Sequence, residues 1–205
     1  MEARSDLLRR GLRLEWLTVG WNVVEGLIAV TAALAAGSVA LLGFGFDSFV
    51  ESASGGILIW RLLAEKRTAA DPQAIERLDH HARKLVAISL FALALYVALD
   101  ASWSLWKAER PSASPVGIVL TIVSLLVMVW LARAKRRTAA ALGSRALEAD
   151  ASQTTVCWWL SLITLAGVGL TAWLGWWWAD PVAALGMTPL LVREGMEAWQ
   201  GEECC

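Results

Sequence analysis

The sequence predicts an all-α, polytopic membrane protein with six transmembrane helices and both termini in the cytoplasm. Three observations predict it. Of 205 residues, 57% are apolar, above the ~45–50% of soluble domains. Lys and Arg are absent from residues 14–60, 85–106, 111–132 and 146–192. Thirteen residues are Trp and one is Tyr, and Trp collects at membrane–water interfaces. A net charge of −1 excludes a nucleic-acid binder, which needs excess positive charge. The apolar content excludes a disordered chain.

A spanning helix needs about 20 mostly apolar residues. Each shorter gap in positive charge therefore holds one span, and each longer gap holds two joined by a tight turn. This places helices at 15–36, 38–62, 84–107, 115–133, 150–174 and 177–197. Ala36-Gly37-Ser38 is the first turn and Gly175 marks the last. Arg110-Pro-Ser-Ala-Ser-Pro115 is an outer turn, and 64–83 is a polar cytosolic loop. Asp180-Pro181 suits a helix start, where an acid faces the positive end of the helix dipole. The expected organisation is a cytosolic segment 1–14, a six-helix transmembrane domain 15–197 and a short cytosolic tail 198–205. The first 13 residues are charged and the first apolar run continues into a second span, so no signal peptide is expected.

A cytoplasmic N-terminus puts every Lys and Arg inside except Lys107 and Arg110, as the positive-inside rule requires. Trp103, Trp106, Trp173, Trp176, Trp177 and Trp178 then fall at outer helix ends. Trp16, Trp60, Trp130 and Trp199 fall at inner ends. Trp158 and Trp159 are expected to pack between helices. The setting is an integral membrane protein of a bacterial inner (plasma) membrane, N-in and C-in.

Acids inside the membrane carry the functional signal. A charge near mid-bilayer costs roughly 2.5–3.5 kcal/mol, and such residues usually line ion or proton pathways. Asp47 and Glu51 are four apart, on one face of a helix. Two adjacent carboxylates resist joint ionisation in an apolar site, and a divalent cation relieves this. No Lys or Arg lies in either long gap to do the same. Gln153 and Cys157 repeat the spacing on helix 5 with an amide oxygen and a sulfur. The two pairs make a candidate four-coordinate site for a borderline-soft ion. Cys157 taken alone reads equally as a small packing residue.

The other polar residues carry weaker signals. Glu25 is a candidate proton carrier or interhelical hydrogen-bond partner, and Asn22 reads as glue between helices. Asp100, Asp150 and Asp180 are candidate relay or supporting groups. His80 and His81 read as solvated loop residues. Cys204 and Cys205 are a candidate soft-metal tail or a loose chain end. The small residues Gly43, Gly45, Ser52, Ala53, Ser54, Gly55 and Gly56 flank the two acids. They allow close helix approach in lipid, so the acidic face of helix 2 is expected inside the bundle.

The segments Asn22-Val-Val-Glu25-Gly26, Ala36-Gly37-Ser38-Val-Ala-Leu41 and Phe46-Asp47-Ser48-Phe49-Val50-Glu51 resemble the first two helices of cation diffusion facilitators. Ser144-Arg-Ala-Leu-Glu-Ala-Asp150-Ala-Ser-Gln153-Thr-Thr-Val-Cys157 and Trp178-Ala-Asp180-Pro181-Val-Ala-Ala-Leu-Gly186 extend the likeness over nearly the whole chain, in order. The resemblance implies a homodimeric exporter of divalent metal that exchanges the ion for protons. In the family, two acids on helix 2 match Asp47 and Glu51, while a His and an Asp on helix 5 fall at Gln153 and Cys157. That replacement points to softer chemistry than the usual zinc site. The His-rich stretch and the cytosolic metal-binding domain after helix 6 are not expected here, so dimerisation falls to the membrane helices.

The expected function is divalent transition-metal transport by alternating access. Zn2+ is the first candidate cargo, with Cd2+, Fe2+, Mn2+ and Co2+ also open. No permanently bound cofactor is expected, and the partners are lipid, metal, protons and a second copy. The competing reading is a membrane metal sensor or accessory subunit without turnover. An enzyme is not expected, because the two His are adjacent in a loop and no Ser or Cys has a base beside it.

Overall fold

The structure, a computed structural model, describes the backbone of residues 2–67 and 72–200, with the side chains of 6–60, 62–63, 84–144, 147–148 and 150–200. The side chains of His80 and His81, and all of Cys204 and Cys205, lie outside the described residues. The described chain is helical without strands. The six helices are α1 Glu2–Ala36, α2 Val39–Arg67, α3 Pro72–Lys107, α4 Pro115–Leu142, α5 Arg145–Leu174 and α6 Ala179–Gln200.

Several helices outrun their apolar segments. The polar stretch 72–83, expected as loop, is the start of α3, and α4 continues nine residues past 133 to Leu142. Helical hydrogen bonding needs only backbone, so a helix continues into polar sequence until a cap stops it. The caps are plain. Ser114 accepts a hydrogen bond from Gly117 N at the start of α4 and Ser144 from Leu147 N at the start of α5. Gly37, Gly143 and Gly175 sit at φ of 64–68°, the left-handed conformation that ends a helix and that only glycine adopts without strain.

Four helices are long and apolar enough to cross a membrane: 6–36, 84–107, 115–142 and 150–174. Among the described residues, α2 and α6 fall short of that measure. Gly43, Gly45, Asp47, Glu51 and a Ser/Gly run interrupt α2, and Asp180, Arg193, Glu194 and Glu197 interrupt α6. Packing accounts for the difference. Helices α1, α2, α5 and α4 form a closed ring of neighbours, α3 pairs with α6, and α6 joins that pair to α2 and α5. Helix α2 thus meets α1, α3, α5 and α6, and its apolar requirement is met by protein on several sides. The outward surface is aliphatic and aromatic, with Trp16, Trp60, Trp103, Trp106, Trp130, Trp173 and Trp199 exposed. Trp158 packs on a buried cluster as expected, but Trp159 does not. It is 49% exposed, because the next position on a helix turns about 100° away from its neighbour.

Small residues set the closest approach. A Cβ on Gly45 would lie 2.9 Å from Val30 Cγ2 and 3.0 Å from Ala29 Cβ, and one on Gly26 would lie 3.0 Å from Gly45 O. The α1–α2 crossing therefore admits no side chain at either position. At the Gly37 end of the bundle, Asp180 reaches from the first turn of α6 to the start of α2. It accepts hydrogen bonds from Ser38 Oγ at 2.6 Å, Val39 N at 2.8 Å and Ala40 N at 3.4 Å. A carboxylate from one helix thus satisfies the unpaired N–H groups of another. At the opposite end, a Cβ on Gly11 would touch Leu62, Leu142 and Leu147, which gathers α1, α2, α4 and α5 near the Gly143 turn.

Replacing Asp180 with Ala leaves the buried Ser38 hydroxyl and two amide groups without their acceptor. Its expected cost is about 1–3 kcal/mol, read as a lower thermal unfolding midpoint of the purified protein in detergent.

Candidate functional site

Asp47, Glu51 and Cys157 are brought together in the bundle interior. The two acids share one face of α2, and Cys157 faces them from α5. Cys157 Sγ lies 3.2 Å from Asp47 Oδ2 and 2.6 Å from Glu51 Oε2. All three side chains are buried, and Cys157 also packs with Leu14, Met128 and Leu131. A thiol has one proton, so it serves the nearer Glu51 oxygen with Asp47 close by. Among the described residues no three His, Cys, Asp or Glu side chains are spread as a ready metal shell. The acids and the thiol are instead closed upon one another.

The polar contacts continue from this cluster toward the Gly143 end. Thr154, one turn before Cys157 on α5, donates to Glu51 Oε1 at 3.2 Å. The same hydroxyl accepts from Lys135 Nζ at 3.3 Å. Lys135 also donates to Glu15 Oε2 at 3.3 Å and to Asp150 Oδ2. One line of polar contacts therefore links Asp47, Cys157, Glu51, Thr154, Lys135, Glu15 and Asp150 across four helices. Lys135, expected in a cytosolic connection, is a correction: it lies within α4 and is 0% exposed. The long gaps in positive charge do lack Lys and Arg, but the cation arrives from a different helix.

The remaining candidates separate. Gln153 is half-buried, and its Oε1 accepts from Ser54 Oγ at 3.1 Å. Its amide thus faces α2 one turn away from Glu51. Glu25 is buried on α1 and accepts from Ser48 Oγ at 3.3 Å, with its Oε1 unpartnered. Its charge is within electrostatic reach of Glu51. Asn22 is fully buried and neither amide atom has a partner. Asp150 holds Lys135, and Asp180 holds the start of α2. Asp100 is half-buried on α3 beside Tyr96, one turn before it, outside the line of polar contacts among the described residues.

Residues 16–198 match the family described as the cation efflux transmembrane domain. The chain belongs to the cation efflux, or cation diffusion facilitator, family. The resemblance read from Asp47, Glu51 and the glycine turn is thereby shown, and so is an integral membrane protein. This cation efflux protein is also 28% identical over 153 residues to a protein of Synechocystis sp. named "Uncharacterized transporter sll1263". The match covers 74% of this chain and 49% of that relative, so the chain spans about half of the relative's length.

Among the buried polar residues that escaped sequence reasoning are Glu15, Lys135, Thr154 and Glu194. Lys135 and Glu194 each lie on a stripe that could have found them. Met128, Leu131, Lys135, Thr138 and Leu142 recur at three- or four-residue steps on the buried face of α4, the signature of an inward-facing stripe. Ala184, Met187, Leu191 and Glu194 do the same on α6.

Replacing Lys135 with Met leaves Glu15 and Asp150 buried without their cation. Breaking such a set from one side costs about 3–5 kcal/mol. The expected result is a large fall in thermal unfolding midpoint, partly restored when Glu15→Gln and Asp150→Asn are added to Lys135→Met.

Proposed function

We propose that this cation efflux protein transports a divalent transition-metal cation and exports it in exchange for protons by alternating access. One observation carries the reading: two carboxylates and a thiol from α2 and α5 converge within 3.2 Å inside the bundle. Carboxylate oxygen and thiolate sulfur together suit borderline-soft ions such as Zn2+, followed by Cd2+, Fe2+, Mn2+ and Co2+, over Mg2+ or Ca2+. Tetrahedral zinc at 2.0–2.3 Å from its donors holds them about 3.5 Å apart. Loading therefore parts Cys157 Sγ from Glu51 Oε2 by about 1 Å and displaces the thiol proton.

That displacement is the chemical basis for exchange. Metal binds as the acids and the thiol give up protons. After the bundle reopens on the other side, protons return and release the ion. The line through Thr154 to Lys135 offers a route by which Glu51 senses charge near the Gly143 end, which this reading places in the cytoplasm. Dimerisation through transmembrane helices belongs to the same proposal, and it rests on family membership.

The test is metal uptake by proteoliposomes containing a pH-sensitive dye, with zinc, cadmium, iron(II), manganese(II) and cobalt offered in turn. Wild type is expected to move metal with opposite proton movement. Asp47→Ala is expected to reduce uptake at least 100-fold, roughly 2.7 kcal/mol or more. Cys157→Ser is expected to lose cadmium transport more than manganese transport, since sulfur is the softer donor. Wild-type rates in Asp47→Ala would sink the transport site. Binding without uptake of any ion would favour the sensor or accessory reading.

A further inference from the structure

A third helix brings an acid to the cluster. Asp180 pins the start of α6 to Ser38 and Val39 at the start of α2. Farther along, Met187 Cε lies 3.8 Å from where a Cβ on Gly43 would stand, so the two helices advance in the same direction. At ~1.5 Å per residue, Glu194 lies about 21 Å along α6 from Asp180, and Glu51 about 20 Å along α2 from Ser38. The two acids therefore reach the same depth. The buried face of α6 runs Asp180, Ala184, Met187, Leu191, Glu194, one stripe at three- and four-residue steps. Glu194 is thus turned inward at the level of the cluster.

Its surroundings on α6 leave one carboxylate oxygen unanswered. Glu194 is 7% exposed and its Oε1 has no hydrogen-bond partner. Arg193, its neighbour in sequence, forms an ion pair with Glu197 at 2.8 Å, and both are within electrostatic reach of Glu194. The Glu194 carboxylate is within electrostatic reach of Asp47, Glu51 and the Cys157 sulfur. A buried carboxylate within electrostatic reach of two more is unfavourable unless positive charge joins them. Meanwhile the Gln153 amide oxygen is occupied by Ser54.

We propose that Glu194 is the fourth donor to the transported divalent cation, with Asp47, Glu51 and Cys157. This rests on the metal-transport reading above and names a ligand that the helix 5 comparison does not supply. The donor set becomes three carboxylates and one sulfur from α2, α5 and α6. Ion binding then draws together three helices, and α6 carries that pull to its partner α3.

The test is isothermal titration of zinc, cadmium and manganese(II) into the purified full chain in detergent. Glu194→Gln keeps size and shape but offers a weaker donor. It is expected to weaken zinc binding roughly 10-fold or more, the scale of lost support at metal sites, while Glu197→Gln leaves it unchanged. Glu194→His is expected to shift selectivity toward zinc and cadmium over manganese, which a merely structural role would not do. If Glu194→Gln fails to elute as a folded protein, the selectivity of Glu194→His decides the matter. Wild-type affinity and selectivity in both variants, with binding lost in Asp47→Ala, would overturn the Glu194 assignment alone. No binding by wild type would overturn the transport site beneath it.

Discussion

Seven carboxylates are buried among the described residues, those of Glu15, Glu25, Asp47, Glu51, Asp150, Asp180 and Glu194, against one buried ammonium, that of Lys135. An uncompensated charge in an apolar interior is among the most expensive things a protein can hold, so the architecture is governed by how each acid is answered. Asp180 is answered by a hydroxyl and backbone N–H groups at the start of α2. Glu15 and Asp150 are answered by Lys135. Glu25 receives one serine hydroxyl. Asp47 and Glu51 meet a thiol, and Glu51 also a threonine hydroxyl, while one oxygen of Glu194 has no hydrogen-bond partner. Lys135 reaches Glu51 only through Thr154, and the transport reading proposes a divalent cation as the answer to the acids that remain.

The central place of α2 follows from the same constraint. A helix with two acids near its middle is a poor neighbour for lipid, and α2 is bordered by four other helices. Glycines on α1 and α2 let those helices meet closely at Gly26 and Gly45. That approach brings Ser48 to Glu25 and leaves the opposite side of α2 free to present Asp47 and Glu51 to α5. Small residues and acids on α2 are thus two parts of one arrangement.

The six helices were legible because stretches without Lys or Arg mark membrane spans directly. Asp47 and Glu51 were legible because an acid in an apolar run has no cheap explanation. Gly37 was legible as a turn, and it takes the left-handed conformation that a tight turn demands. Lys135 was hidden by its neighbours: it sits between Arg133 and Arg136-Arg137, and a basic run reads as a solvated connection. Arg136 does point outward, to Thr155 on the exposed surface, while Lys135 turns inward. Only the phase of the helix separates them, and that phase requires knowing that α4 continues to Leu142. Glu194 was hidden in the same way, between an exposed arginine and a half-buried glutamate near a helix end. Trp159 shows the converse, since depth along a span says nothing about which side a residue faces.

The Asp180 clamp has a mechanical meaning. It joins two parallel helices at one end, and a shared fixed point turns the pair into a lever. A rotation of α6 about that point leaves the clamp almost unmoved and displaces residues in proportion to their distance from it. Glu194 stands about 21 Å farther along α6, beyond Pro189, where the helical hydrogen bonding is interrupted, so the clamp constrains it far less than it constrains Asp180. A pin at one end of α6 therefore constrains Asp180 most and Glu194 least.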